Sequence, residues 1–228
     1  MALFRQVLRP GDLVVEAGAN FGAHTVAMSQ MVGEQGCIVA FEPQRLVFQT
    51  MVANVAINSL LNVVTVQAGL GAQPGVIKVP VLNPVKGHNF GGFNIGNHNT
   101  GENVPVQTID GLNLNRCRLI KVDVEGMECE VLEGAQDTIA RLQPVLYVEN
   151  DRVEHSRRLI TLIQSFGYRL WWHLPRMFNP NNFLGDSENL FGNIVSVNML
   201  CLPQETSITV DLPEIRTPDD NWRNMDKV

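Results

Sequence analysis

Apolar residues along this chain fall into short runs that stop on acidic or amide positions. Leu13-Val14-Val15 meets Glu16, Cys37 to Phe41 meets Glu42, Val63 to Val66 meets Gln67, Leu119 to Val124 meets Glu125, and Val145 to Val148 meets Glu149 and Asn150. Short β-branched runs of this kind read as strands buried on both faces. The stretches between them have helical spacing. After Pro43, residues Leu46, Val47, Met51, Val52, Val55 and Ile57 recur mostly at helical intervals. Further helices are expected after the turn Ala17–Gly22, from Glu125-Gly126 through Glu133, and around Ser156 to Phe166, where Gly167 suits a left-handed cap. Strands alternating with helices predict an α/β domain with a largely parallel sheet.

Some segments break the alternation. Gly75 begins a two-residue periodicity through Val81, which predicts an antiparallel ribbon rather than another crossover helix. Residues 83–103 are dominated by Asn and Gly and read as a long loop or hairpin, with Val104 to Gln107 returning as a strand and Thr108 to Leu112 as a connector. Two late strands are expected at Tyr168 to Trp172 and Gly192 to Val197, flanking an irregular loop from Pro175 to Asn189. Residues 1–202 then form one domain. Residues 203–228, polar and proline-rich, form a tail that either drapes over it or is disordered.

Composition narrows the class. With 45% hydrophobic and 18% charged residues, the chain reads as an ordinary globular protein. No apolar run reaches the ~18 residues that a membrane span needs, and the N-terminal residues lack the apolar centre of a signal peptide. The expected location is cytoplasmic, without a membrane partner. A net charge of −6 and the lack of a basic block argue against nucleic acid; Arg157-Arg158 is the one basic pair and fits a solvated helix face. Cys37, Cys117, Cys129 and Cys201 have no ligand spacing, so no metal is expected.

The chemistry concentrates in Leu13–Glu42. Strand, glycine turn, helix, strand and terminal acid form a nucleotide-binding βαβ unit. A dinucleotide fold wants a second glycine where the backbone meets a pyrophosphate. Here the turn is Gly18-x-x-x-Gly22, with Asn20 at that place, and Glu16 before it would repel phosphate while welcoming a cation. A phosphate-free, cationic nucleoside fits better, and S-adenosyl-L-methionine has those properties.

Three ordered blocks, VVEAGANFGAHT (Val14 to Thr25), AFEPQRLVFQTMVANVAIN (Ala40 to Asn58) and IKVDVEGMECEVLEGA (Ile120 to Ala135), followed by YVEN (Tyr147 to Asn150), resemble the FkbM-type S-adenosylmethionine-dependent methyltransferases. The resemblance spans about residues 10 to 200. It implies a Rossmann-like class I methyltransferase fold: a seven-stranded, mostly parallel sheet of order 3-2-1-4-5-7-6 with the last strand antiparallel and, here, a hairpin or loop insertion before strand 4. It also implies a cofactor lying across the carboxyl ends of the first strands. Glu16 stands where the family usually has Asp, which keeps the charge. The chain reaches its first strand almost directly, whereas many relatives have an N-terminal extension that helps cover the site.

On this reading Glu16, Gly18, Asn20, Gly22, Glu42, Ala68 and Asp123 line the cofactor site. Glu42 would accept the ribose hydroxyls; its alternative is a solvated strand-end carboxylate. The glycines could instead merely make a tight turn, Glu16 could cap a backbone amide, and Ala68 adjoins the adenine through position alone. Asp123, Glu125, Glu149 and His88 are the catalytic candidates, able to bind a hydroxyl or take its proton. Against this, Asp123 could shape the turn, Glu125 could cap the next helix, and Glu149 and Asn150 could be structural. Lys121 shares a strand face with Asp123 and could bind substrate or supply counter-charge. His24, in the first helix, is assigned to packing, and Trp171-Trp172 to the core, with sugar stacking as the alternative.

The function expected from these residues is O-methylation of a hydroxyl on a sugar or small metabolite. The alternatives are a non-catalytic nucleoside-binding scaffold or sensor, and an NAD-dependent dehydrogenase, which the missing glycine disfavours. The oligomeric state is open, with a homodimer as one option.

Overall fold

The computed structural model describes residues 1–81 and 100–224. In chain order the elements begin with helix α1 (Ala2–Val7), strand β1 (Leu13–Ala17), helix α2 (Ala23–Val32), β2 (Cys37–Phe41), α3 (Arg45–Ile57) and β3 (Val63–Val66). They continue with β4 (Gly69–Leu70), β5 (Gly75–Val79), β6 (Glu102–Gln107), β7 (Leu119–Val122), α4 (Glu128–Glu133) and α5 (Gln136–Leu142). The last part holds β8 (Val145–Glu149), α6 (Val153–Ser165), β9 (Tyr168–His173), β10 (Asn198–Pro203) and β11 (Glu214–Ile215).

Eight strands make the main sheet, in the order β3-β2-β1-β7-β8-β10-β9-β11. Its first seven strands reproduce the 3-2-1-4-5-7-6 order, and β10 runs antiparallel to both β8 and β9. The eighth strand departs from the expected seven. Glu214 and Ile215, from the polar tail, pair with Trp171 and Leu170 and bury Ile215 at the sheet edge. Ile208, Val210 and Leu212 of the same segment pack against the core, so the tail is draped over the domain through its described residues.

Two further corrections concern boundaries. The strand expected at 192–197 lies at Asn198–Pro203, where all six residues are buried between β8 and β9; residues 192–197 contribute only an isolated bridge from Val195 to Arg176. The apolar character of Ile194 and Val195 is a loop property, with Ile194 exposed. Ahead of β1 the chain forms α1, whose Phe4 and Val7 are buried. The insertion before strand 4 is a separate three-stranded sheet, β4-β6-β5, with β5 and β6 antiparallel. Much of the Asn/Gly loop between them, including His88, lies outside the described residues.

Alternation along the central strands builds two cores. Val15, Ala17, Ile120, Val122, Leu146 and Val148 face α4, α5 and α6, which supply Val131, Leu132, Ile139, Leu159, Ile160 and Ile163. Val14, Leu119, Val145 and Tyr147 face the opposite way, onto Phe4 of α1, Met28 and Val32 of α2 and Met51 of α3. Both faces are therefore covered, as strands with such continuous apolar runs require. The second face also receives Glu16 and Lys121, which break its apolar pattern near the carboxyl ends of β1 and β7.

Candidate active site

The carboxyl ends of β1, β2, β7 and β8 are neighbours in the sheet, so they bring Glu16, Glu42, Asp123 and Glu149 to one edge. The first half of this edge is a backbone construction. After Ala17 the chain turns through Gly18 with φ 77°, and the amides of Gly18 and Ala19 both donate to the Phe41 carbonyl at 3.1 and 2.9 Å. A Cβ on Gly18 would lie 1.7 Å from the Asp123 carbonyl oxygen. The glycine is thus demanded by the close approach of two strand ends, in addition to any ligand. Asn20 also has positive φ, at 53°, and its side-chain oxygen accepts from the Phe21 amide at 2.8 Å, a local bond that suits Asn to this conformation. Gly22, again with positive φ, opens α2.

One amide of this turn, that of Asn20, is aimed at Glu42. Asn20 N–H donates to Glu42 Oε2 at 3.0 Å and Gln44 N–H to Oε1 at 2.9 Å, which orients both carboxyl oxygens. Burial pushes the Glu42 carboxyl up to about 7, overriding the opposite pull of the two amides. Ala68 is packed inside the core with no exposed surface, and its amide donates to the Val66 carbonyl.

The second half is a cluster of charges. Glu16 has 1% of its side chain exposed; Thr25 Oγ1 donates to its Oε2 at 2.6 Å, and Lys121 Nζ stands 3.6 Å from its Oε1. That distance permits charge attraction but is too long for a hydrogen bond, and Oε1 has no donor among the described residues. Burial raises the Glu16 carboxyl against the lowering pull of Lys121 and Thr25. Lys121 donates to Asp123 Oδ2 at 3.0 Å. Burial works against its charge, yet Asp123 and Glu16 together raise its ammonium above the ordinary lysine value.

Asp123 and Glu149 diverge. Burial would raise Asp123, but the Lys121 ammonium and its hydrogen bond outweigh that and hold it low. Glu149 is pushed up to about 9, first by burial and then by the charge of Asp123, with which it shares a hydrogen bond. Its Oε2 has no further partner among the described residues. Burial and the Asp123 charge thus favour the neutral form of Glu149, while Lys121 favours the charged form of Asp123. A carboxylate beside a neutral carboxylic acid can receive a hydroxyl and its proton.

Other candidates are drawn off into structure. Glu125, at φ 57°, accepts from Arg152 at 2.9 Å, so its carboxylate is already paired and is not a free base. It does not cap α4 either, whose N-cap Met127 makes no side-chain capping bond; Glu128 Oε1 accepts from the Gly126 amide at 2.9 Å in the preceding turn. Asn150 is buried and bonded to Ser156 Oγ at 2.9 Å and to the Val197 carbonyl at 2.9 Å. His24 packs edge-on against Phe4, with centroids 5.7 Å apart, and burial followed by the Lys121 charge lowers it to about 4. Trp171 and Trp172 are buried and offer no stacking wall.

Sequence reasoning missed Thr25, whose place on α2 over the end of β1 is invisible to motif spacing. It also missed the bond of 2.8 Å between Tyr147 Oη on β8 and His173 Nδ1 on β9, which reaches across the intervening β10. The shared register of β8, β10 and β9 creates that pair, and no linear pattern signals it. Among the described residues no helix is long and apolar enough to cross a membrane, and no group of three His, Cys, Asp or Glu side chains could hold a metal ion.

Comparison with known proteins places this geometry. The model of the methyltransferase FkbM domain matches residues 16–170. Methyltransferase 1 of Beauveria bassiana is 27% identical over 196 residues, covering 75% of this chain and 78% of that protein. Among solved structures, the FkbM methyltransferase of Methylobacillus flagellatus superposes with a TM-score of 0.55 at 17% identity, over 88% of this chain and 50% of that one. The chain therefore spans half the length of that protein. The precorrin-6y C5,15-methyltransferase of Geobacter metallireducens gives 0.54 at 13% identity, over 88% and 87% of the two chains. At these identities the structures show a shared fold.

Proposed function

The chain belongs to the FkbM methyltransferase family, for which S-adenosyl-L-methionine is the methyl donor, and from that premise we propose an O-methyltransferase acting on a hydroxyl of a sugar or small metabolite. The residues at the strand ends fit the donor. Glu42, oriented by two amides, would hold the ribose hydroxyls, the turn from Gly18 to Gly22 would border the nucleoside, and Glu16, with its undonated Oε1, would take the cationic amino-acid end. When bound, the donor supplies a methyl group on a sulfonium, open to direct displacement.

The observation that carries the reading is the Asp123–Glu149 pair beside that cradle. An alcohol gives up its proton as it is methylated, and Asp123, kept ionised by Lys121, receives it. Glu149, its proton turned to Asp123 and its Oε2 without a partner among the described residues, would help position the acceptor beside Asp123. Exclusion of water and alignment of the acceptor provide most of the remaining acceleration. A hydroxylated acceptor also agrees with the Asn- and Gly-rich composition of residues 83–103, and the net charge of −6 favours a small acceptor over nucleic acid.

Isothermal titration with S-adenosylmethionine, S-adenosylhomocysteine and NAD tests the first part. The two sulfur nucleosides are expected to bind; binding of NAD alone would end the methyltransferase reading. Mass spectrometry on a panel of glycans and hydroxylated metabolites tests the second. Donor binding with no methylated product across that panel would favour a non-catalytic nucleoside-binding protein.

A further inference from the structure

Beneath the two halves of the site lies a single cation. Lys121 has 2% of its side chain exposed, and its ammonium stands 3.0 Å from Asp123 Oδ2 and 3.6 Å from Glu16 Oε1. Strand register produces this arrangement. Glu16 on β1 and Lys121 on β7 are direct partners, and Asp123 is two residues further along on the same face. A buried ammonium needs partners of opposite charge, and each buried carboxylate that loses its cation is left uncompensated. One side chain thus ties the donor half of the site to the acceptor half.

We propose that Lys121 is a positioning residue for methyl transfer, its ammonium holding Asp123 ionised and aimed at the acceptor while sharing its charge with Glu16. The inference rests on the methyltransferase reading above. The groups facing Asp123 are Glu16 on β1, His24 on α2, Glu42 after β2, Lys121 on β7, Glu125 in the following turn, and Tyr147 and Glu149 on β8. Burial disfavours the Asp123 charge, as does the negative charge of an ionised carboxylate beside it, whereas the hydrogen bond with Glu149 favours it. His24 is neutral near pH 7, because burial and then Lys121 lower it to about 4. Arg152, the cation nearest the turn, is engaged by Glu125 at 2.9 Å and Asp151 at 3.9 Å. Within this set the Lys121 ammonium, 3.0 Å from Asp123, is the strongest influence favouring the anion, ahead of Glu149 and His24, and it acts from a strand position two residues before Asp123.

Carbon-13 NMR of the carboxyl groups, with the Asp123 signal assigned by its loss in Asp123→Asn, should be compared between the wild type and Lys121→Met. The pH profile of kcat/KM is followed in parallel. In Lys121→Met the Asp123 titration is expected to move up by about one to three pH units, carrying the acid limb of kcat/KM upward with it. Lowered turnover with an unmoved titration and an unmoved acid limb would overturn the proposal and leave Lys121 a packing residue. Should Lys121→Met not fold, the wild type decides: an Asp123 that protonates above its ordinary value of about 3.9 would equally overturn it. If the wild type methylates nothing, the methyltransferase reading fails, while the NMR comparison still tests the hold of Lys121 on Asp123.

Discussion

At Gly18 the chain ends β1 by bringing its backbone against the Asp123 carbonyl, whereas at Asp123 and Glu149 two strand ends bring together side chains whose charges conflict. The first region is held by sterics and amide hydrogen bonds, from Gly18 and Ala19 to Phe41 and from Asn20 and Gln44 to Glu42. The second is held by one ammonium among several carboxyls, two of which shift in opposite directions. A cradle of the first kind is rigid and tolerates almost no added atoms. A cluster of the second kind tolerates isosteric change but responds to pH. The contrast teaches that one sheet edge can specify shape with its backbone and reactivity with its electrostatics, a few ångströms apart.

The sharpest way to break this division is Gly18→Ala. The new methyl would meet a backbone oxygen that cannot move aside, at a positive φ, so a loss of about 3 kcal/mol or more is expected in urea unfolding. A stability within experimental error of wild type would show that the turn yields. Asp123→Asn removes the charge with little change in volume. Turnover should fall about 10²- to 10⁴-fold while calorimetric affinity for S-adenosylmethionine stays similar; unchanged turnover would remove Asp123 from the mechanism.

A smaller effect follows from pH. Glu42 and Glu149 titrate higher in the folded chain than their ordinary value of 4.5, so protonation favours the fold. Their stabilisation is complete below 4.5 and is lost as pH rises through about 7 for Glu42 and about 9 for Glu149. Stability from urea titrations should decline across that window by about one to a few kcal/mol. Glu149→Gln should flatten the upper part, and a persistent slope there would assign it to other groups. The least effect is expected from Glu125→Gln. Its pair with Arg152 is partly exposed, so a cost of about 1 kcal/mol or less and near-normal turnover are expected.

The strands and helices that position the site were largely readable in the chain. Runs such as Leu119 to Val124 declare a doubly buried strand, and the acids that end them mark one edge of the sheet. The glycine turn and Glu42 were readable for the same reason: a positive φ and a strand terminus are local constraints. Ile208 to Ile215 were not. Their apolar residues are scattered singly among polar ones, and only the uncovered edge of β9 makes a strand of Glu214 and Ile215. The strand assigned to 192–197 slipped to 198–203 because local β-branching at Ile194 and Val195 competes with a burial that only β8 and β9 supply.

By itself the sequence determined the βαβ cradle, the strand order through its ordered blocks, and which acids reach the sheet edge, because these follow from periodicity, turn sterics and chain order. Only the tertiary structure decided what each acid is. Glu125 is tied to Arg152, Glu16 to Thr25 and Lys121, Asp123 is held toward its charged form and Glu149 toward its neutral one. Those states depend on burial and on charges from strands distant in the chain, and on distances of 3 to 4 Å that no spacing of residues can encode.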